Sequence, residues 1–593
     1  MKGVRTIAWL LLVTAGLISG MEAGAQGKWS GQLALTGGFG QTPVPKGSES
    51  LLDTLNRYRG QIDLQVNYVA PKFSLLNTLG FVCDQNRTQS VKDYLAFNEQ
   101  GGQESQESSN RFGLDLQMRG NIRTEIQWRP SSRNRFTWFA AYQNGAQNTS
   151  FLSVIQTRTG FRDVREGIKS DIANEGFGNW NFGMLSTHGL GRRAMPLNLS
   201  LEARLNERSR QQDWVDVASE GALSAYSILS SRLAAEIRFT ASWRDTIQLA
   251  SRPLVLEPGF RSVLRLELDS NGGRVLDAGG QWRDSLRLEE SFDYLSADLN
   301  PCLLAIYRTE HFRFQADYAL QCFGKSLSDD THEEYMVFDH PRVVGRSTVE
   351  WRLSESHSLV LGNTLSSRQP TYLQTCWYER KGTYDDQLIR GNPELLPAYS
   401  YGFDLTWRFR YHRFRLSANT SFTRREHEIE QDFWTQTIDG RDYRLFSWFN
   451  TAYGNTFAGG IDLGWQGSVL VSGLQVSYEQ KRQWALLADK TSDSHLWNLA
   501  ARVGLQPVRG WSASVSGRYR GDVKTFYSIL EKYCTVDGRV EKSFAKWTVF
   551  AEGLDLLDHP LVETYLSPDG RQTWSETRRL NRRRFQLGFN WRF

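Results

Sequence analysis

Phe585-Gln586-Leu587-Gly588-Phe589-Asn590-Trp591-Arg592-Phe593, the last nine residues, decide the fold. Side chains of a strand alternate with period 2, so Phe585, Leu587, Phe589, Trp591 and Phe593 share one face. Gln586, Gly588, Asn590 and Arg592 share the other. In a water-soluble sheet the apolar stripe packs on a core. Here the stripe recurs on strand after strand, and hardly any helical segment exists to cover it. A closed barrel answers both facts, with its apolar face toward lipid and its polar face toward a lumen.

The pattern runs back through the chain as a repeated hairpin. Phe112, Leu114, Leu116, Met118, Ile122, Ile126 and Trp128 alternate with Asp115, Gln117, Arg119, Asn121, Arg123, Glu125 and Gln127. A membrane strand needs only about 9–11 residues, so this one projects beyond a bilayer. Arg129–Asn134 turns the chain, and Phe136, Trp138, Ala140 and Tyr142 begin the return. The clearest pair is 401–423. Tyr401, Phe403, Leu405, Trp407 and Phe409 are apolar; a tight turn at Tyr411-His412 changes the parity, and Phe414, Leu416, Ala418 and Phe422 follow. A two-residue hairpin with that shift keeps both stripes on one sheet face. Trp407, Tyr411, Trp465, Trp511, Tyr519, Trp547 and Trp591 sit near strand ends, where interfacial girdles form.

The expected fold is all-β: a transmembrane antiparallel barrel of about 22 strands, an even number favoured by pairing and closure. Short connections (129–134, 354–357, 411–412) read as periplasmic turns. Long polar stretches read as extracellular loops, at roughly 85–110, 148–176, 209–229, 326–340, 369–397, 428–441, 485–494 and 557–580. Residues 1–25 read as a cleaved export signal: Lys2 and Arg5, an apolar run from Ile7 to Ile18, then Ala23-Gly24-Ala25. Residues 26–593 form a single barrel domain, starting near Gln26. After the signal no run of about 18 apolar residues remains, so membrane helices are not expected.

Composition narrows the function classes. A net charge of +5 over 593 residues, with dispersed basic groups, gives no nucleic-acid footprint. The five cysteines, Cys83, Cys302, Cys322, Cys376 and Cys534, are odd in number and irregularly spaced. Cys302 and Cys322 fall on opposite strand faces, which forbids a bridge between them. The nine histidines form no H-x-x-x-H pattern, and neither C-x-x-C, a Gly-x-Ser-x-Gly elbow nor a phosphate loop occurs. No catalytic, cofactor-binding or metal site is expected, and no cofactor. His332-Glu333-Glu334 with His340 reads as a solvated loop before a metal site. Lumen arginines Arg408, Arg410, Arg413 and Arg415 either attract anions or pair with lumen acids such as Asp404. Pairing is favoured, because unpaired charges are costly.

A resemblance enters at Ser366-Ser367-Arg368-Gln369-Pro370 and Gly391-Asn392-Pro393-Glu394-Leu395-Leu396-Pro397, which run into the strand at 401. Together with Val540–Phe544, Trp547–Leu557 and Asn581–Gly588, these segments resemble the barrel of TonB-dependent receptors. The nearest pattern is the Bacteroidetes-type outer membrane beta-barrel family, across about 340–593. Pro393 and Pro397 hold an extended segment and Gly391 permits a turn, so the motif reads as a loop end delivering a strand. The terminal Phe593 resembles the closing strand that the outer-membrane assembly machinery recognises. The resemblance implies a Gram-negative outer-membrane barrel, in contact with outer-membrane lipid, for solute transport or uptake.

The likeness stops short of the whole receptor. A TonB-dependent receptor carries a TonB-contact segment and a globular plug before its barrel, whereas strand alternation here starts at Trp29. No plug is therefore expected within the chain. Closure then falls to the loops 148–176 and 369–397, carrying Phe151, Phe161, Tyr372, Trp377 and Tyr378, or to a separate plug, lipoprotein or TonB-type partner. The alternative is a non-transporting barrel that docks or anchors another envelope component through its long loops.

Overall fold

Alternation this persistent leaves one way to satisfy the backbone in lipid: each strand must pair on both sides. In the computed structural model it does. The structure describes residues 28–40, 57–97, 103–159, 163–190, 195–218, 223–276, 280–284, 290–329, 335–375, 379–381, 387–438, 441–450, 453–485, 490–525, 528–557, 559–566, 572–579 and 583–592.

The wall is a closed antiparallel barrel of 22 strands. They are β1 (Lys28–Gly40), β2 (Arg57–Ala70), β3 (Phe73–Phe97), β4 (Gln103–Trp128), β5 (Asn134–Thr159), β6 (Asp163–Leu190), β7 (Met195–Ala218), β8 (Leu223–Trp243), β9 (Arg252–Leu276), β10 (Glu290–Arg308) and β11 (Phe312–Asp329). The second half comprises β12 (Arg342–Arg352), β13 (His357–Arg368), β14 (Ala398–Tyr411), β15 (Phe414–Glu426), β16 (Tyr453–Gln466), β17 (Leu470–Ala485), β18 (Lys490–Val508), β19 (Trp511–Arg520), β20 (Tyr533–Ser543), β21 (Trp547–Leu554) and β22 (Arg584–Arg592). Each pairs with its predecessor, and β1 closes the ring on β22 with Leu33 opposite Trp591 and Leu35 opposite Phe589. Closure removes the unpaired edges an open sheet would expose.

The parity expected at both hairpins holds. Phe403 faces Phe422, Trp407 faces Ala418, and Tyr411 faces Phe414 across a turn at His412-Arg413, one residue later than the sequence suggests. His412 takes a positive φ of 49° there. On β22, Phe585, Leu587, Phe589 and Trp591 are exposed outward while Gln586 is buried inward; Phe593 lies outside the described residues. Gly588 meets the inner wall closely: a Cβ there would fall 2.1 Å from Cζ of Phe550. Aromatics collect at the turn end, where Trp128, Phe136 and Trp138 stack, Trp407 stacks on His357, and Trp547 on Phe544. Cys302 lies opposite Ala319 on the lumen face and Cys322 opposite Leu299 on the outer one, and both are free thiols.

Three expected loops are strands instead. Residues 85–110, 148–176 and 209–229 are mostly the upper halves of β3 to β8, which run 21 to 28 residues each. The β5–β6 ladder is unbroken from Asn134–His188 to Thr159–Asp163. Polar residues on both faces hid these strands, because above a bilayer neither face has to be apolar. By contrast β19, β21 and β22 span only 8 to 10 residues. The continuous strands are therefore longest on the β3–β9 side. Above the short β19–β22 the sheet is continued by Ser528–Leu530, Leu561–Leu566 and Gln572–Arg579, the last paired with Gln89–Ala96 of β3, so the expected loop 557–580 is also largely strand. The expected loops 369–397 and 428–441 do connect wall strands, the second running on to 452, yet they carry their own sheet: strands Glu379–Lys381, Gln387–Arg390, Ile429–Ile438 and Arg441–Asn450.

Candidate functional site

The site is the lumen and its loop-end mouth. Pro370, buried after β13, stops that strand, and a single helical turn, Tyr372–Thr375, follows. Thr371 caps it: its N–H donates to Oε1 of Gln374 at 2.9 Å, and its carbonyl accepts from Gln374 N–H at 3.0 Å. The Asn392 side chain of the Gly-Asn-Pro motif donates to the Trp448 carbonyl at 3.1 Å and accepts from Glu394 N–H at 3.0 Å. Asn450 completes the brace. Its Oδ1 accepts from Leu396 N–H at 2.8 Å, while Nδ2 donates to the carbonyls of Leu396 at 3.0 Å and His427 at 2.8 Å. Leu395 and Leu445 are buried beneath. The motif holds one loop to its neighbour, as its turn-forming residues suggest. Asn450 was not legible, since a lone Asn in a strand has no local signature for a partner 54 residues away.

Ionic contacts tie this loop sheet to the wall. Gln483 on β17 donates to Glu428 at 2.6 Å and to Glu430 at 3.0 Å, and Lys481 lies 3.5 Å from Glu428. Burial pushes the Glu430 carboxyl above its ordinary range, opposed by Lys481 and the Gln483 hydrogen bond and assisted by Glu428. On the far side Tyr399 donates to Asp339, and the Arg342 guanidinium stacks 3.5 Å above the Tyr399 ring. The Arg368 guanidinium donates to the Ile429 carbonyl at 3.4 Å.

Below the mouth the two halves of the inner wall differ. On β7 to β11 many opposite charges pair, though Arg308 and Arg313 at the turn end do not. Glu236 gathers Arg238 at 2.5 Å, Arg265 at 2.7 Å and Arg204 at 3.7 Å; Arg244 meets Glu257 at 2.7 Å and Arg261 meets Asp317 at 3.0 Å. On β14 and β15 they do not. Arg408, Arg410, Arg413 and Arg415 are exposed, and among the described residues none forms an ion pair, with Asp404 or any other acid. The expected pairing with Asp404 is not made: Asp404 lies four residues along the strand from Arg408, over its register partner Gly362, where a Cβ would sit 2.2 Å from Oδ1. Further round, a cavity of about 580 Å³ opens in the wall, lined by Asp462, Arg502, Arg518, Asp537, Arg539 and Glu552 among others. Arg539 is committed there, to Glu541 at 2.7 Å and over the Phe550 ring at 3.9 Å.

Among the described residues no group of His, Cys, Asp or Glu is placed to hold a metal ion. His332, Glu333 and Glu334 lie outside the described residues, as do Phe161, Trp377, Tyr378 and Cys376. His340 is exposed, and Phe151 belongs to β5 rather than to a loop.

A closed ring of 22 strands, apolar outside and charged inside, with short turns at one end and folded loops at the other, defines an outer-membrane β-barrel like that of TonB-dependent receptors. Residues 351–591 match the model of the Outer membrane protein beta-barrel family. No curated protein sequence matches the chain. Among solved structures it is similar to the copper transporter OprC (TM-score 0.61, 11% identity, covering 96% of this chain and 81% of that one). The ferric enterobactin receptor PfeA of Pseudomonas aeruginosa gives 0.57 at 10% identity, covering 96% and 81%. The siderophore receptor PirA of Acinetobacter baumannii gives 0.56 at 10%, covering 95% and 80%. Identities this low show the shared fold alone.

Proposed function

We propose that the protein passes a solute across the outer membrane through its lumen, under control of the loop sheet or of a separate gating partner. The supporting observation is the inner wall. Unpaired arginines and a charged cavity line a ring wide enough at this strand number to need filling or gating. Being exposed, these arginines cost the fold little when unpaired, and they leave the lumen face positively charged and open to a solute or partner. The copper and siderophore proteins of similar fold are described as a transporter and as receptors, which agrees with the reading.

The test is proteoliposome swelling with neutral, anionic and cationic solutes below about 1 kDa, a size suited to ligand pockets of several hundred Å³. Intact barrel and a variant lacking 372–390 are compared. Solute entry through the shortened barrel, with less through the intact one, is the expected result; an impermeable shortened barrel contradicts transport. A second reading, a docking barrel, is favoured by one observation. The tall β5–β8 wall exposes Leu152, Val154, Ile172, Val215 and Leu229 above the bilayer-facing stripe. Impermeability in both forms would leave that reading standing.

A further inference from the structure

The turn end of the lumen breaks a rule of sheet pairing twice. Arg308 on β10 lies directly opposite Arg313 on β11, and Arg410 on β14 directly opposite Arg415 on β15. Like charges in direct register destabilise a sheet. All four side chains are exposed, and strand parity puts them on the lumen face: Tyr307 with Phe314, and Phe409 with Leu416, fill the neighbouring outward row. Arg352 and Arg408 join them, separated in register only by Ser358. The six guanidiniums thus form an arc over the adjacent strands β10 to β15. Among the described residues none of the six makes an ion pair; Arg313 donates only to Gln315, at 3.2 Å. The acids nearest the arc are Glu350, opposite Arg313 in register, Asp462, one residue beyond Arg408 across Ser417, and Glu310 and Glu355 in the adjoining turns; among the described residues none of them makes an ion pair. Arg119 and Arg135 donate only to glutamines, and Arg502 and Arg518 line the wall cavity without an ion pair among the described residues, but none of them lies in direct register with another arginine; that juxtaposition of unpaired arginines sets the arc apart.

We propose that this arc is the docking site of an acidic polypeptide segment that enters the lumen from the periplasmic end. The charge identifies the chemistry: a run of carboxylates satisfies six forks with which no acid among the described residues forms an ion pair. The direction of the side chains selects a polypeptide over a lipid. Headgroups of the inner leaflet meet the outward face, where Trp351, Trp407, Tyr411 and Trp465 stand. This deepens the gating-partner reading and rests on it, but binding is measured independently of flux.

The test is fluorescence anisotropy of a labelled deca-glutamate peptide against the full-length barrel in nanodiscs of a zwitterionic phospholipid. Saturable binding is expected that weakens roughly tenfold or more between 50 and 500 mM salt, as screening shortens the reach of the charges. Deca-lysine should not bind. R410E/R415E should abolish binding, and the milder R410Q/R415Q weaken it, while R274E, near the loop end of β9 where Arg274 lies 3.1 Å from Asp284, leaves it unchanged. Heat-modifiable migration on gels confirms that each variant is folded. Absence of peptide binding, or equal loss in R274E, overturns the proposal. Loss of binding when phosphatidylglycerol is added to the discs, with the variants and wild type then alike, assigns the arc to lipid and overturns it equally.

Discussion

At the scale of single residues, the account rests on which side of the wall a side chain faces. Leu405 is 38% exposed and points outward six residues above the Tyr411 girdle, whereas Thr406 points into the lumen. Arg in place of Leu405 should therefore cost about 2–4 kcal/mol, the penalty for a cation near the bilayer midplane, and Arg in place of Thr406 much less. Unfolding from lipid vesicles measures both; equal tolerance would show the faces exchanged. Face assignment was legible because it needs only period 2. Pairing of charges was not. Arg410 and Arg415 become cross-strand neighbours only once the turn is fixed at His412-Arg413, and a one-residue slip would have set Arg410 against Leu416.

At the scale of elements, the loop sheet is the part that sequence reading delivered least. The Gly391–Pro397 motif announces a loop end, but its partner strand Arg441–Asn450 lies far along the chain and carries no matching motif. Asn450 makes three backbone hydrogen bonds across that gap. Asn450→Ala removes three hydrogen bonds whose Leu396 groups are exposed to water, at about 0.5–1.5 kcal/mol for each bond lost. Hydrogen exchange should quicken in 391–397 and 441–450 while the β14–β15 ladder stays protected. Glu430 adds a pH dependence. Its carboxyl titrates above the ordinary range in the folded loop, so the unfolded loop loses its proton first and folding is penalised as pH rises. Protection of 429–450 should be greatest below the ordinary carboxylate pKa, about 4.3, and fall as pH climbs toward the raised value. Glu430→Gln should flatten the profile; an unchanged slope would place the titration elsewhere. The tall strands β3 to β8 were missed for a related reason: beyond the bilayer, alternation is no longer enforced, so a strand and a polar loop look the same.

At the scale of the whole molecule, closure was legible and what fills the ring was not. Alternation at both Trp29 and Trp591 already implied that the first and last strands belong to the wall, and β1 does pair with β22. A lumen of this size has to be sealed or gated, because an open one would leak. Of the two loops expected to fold inward, 148–176 is built into β5 and β6 and is removed from consideration, which leaves 369–397 braced by Asn392 and Asn450. The most direct measurement of the account is planar-bilayer conductance of the intact chain beside a variant lacking 372–390. The account predicts a mostly silent intact barrel and a large steady conductance once the loop is gone. A large steady conductance from the intact chain would contradict it.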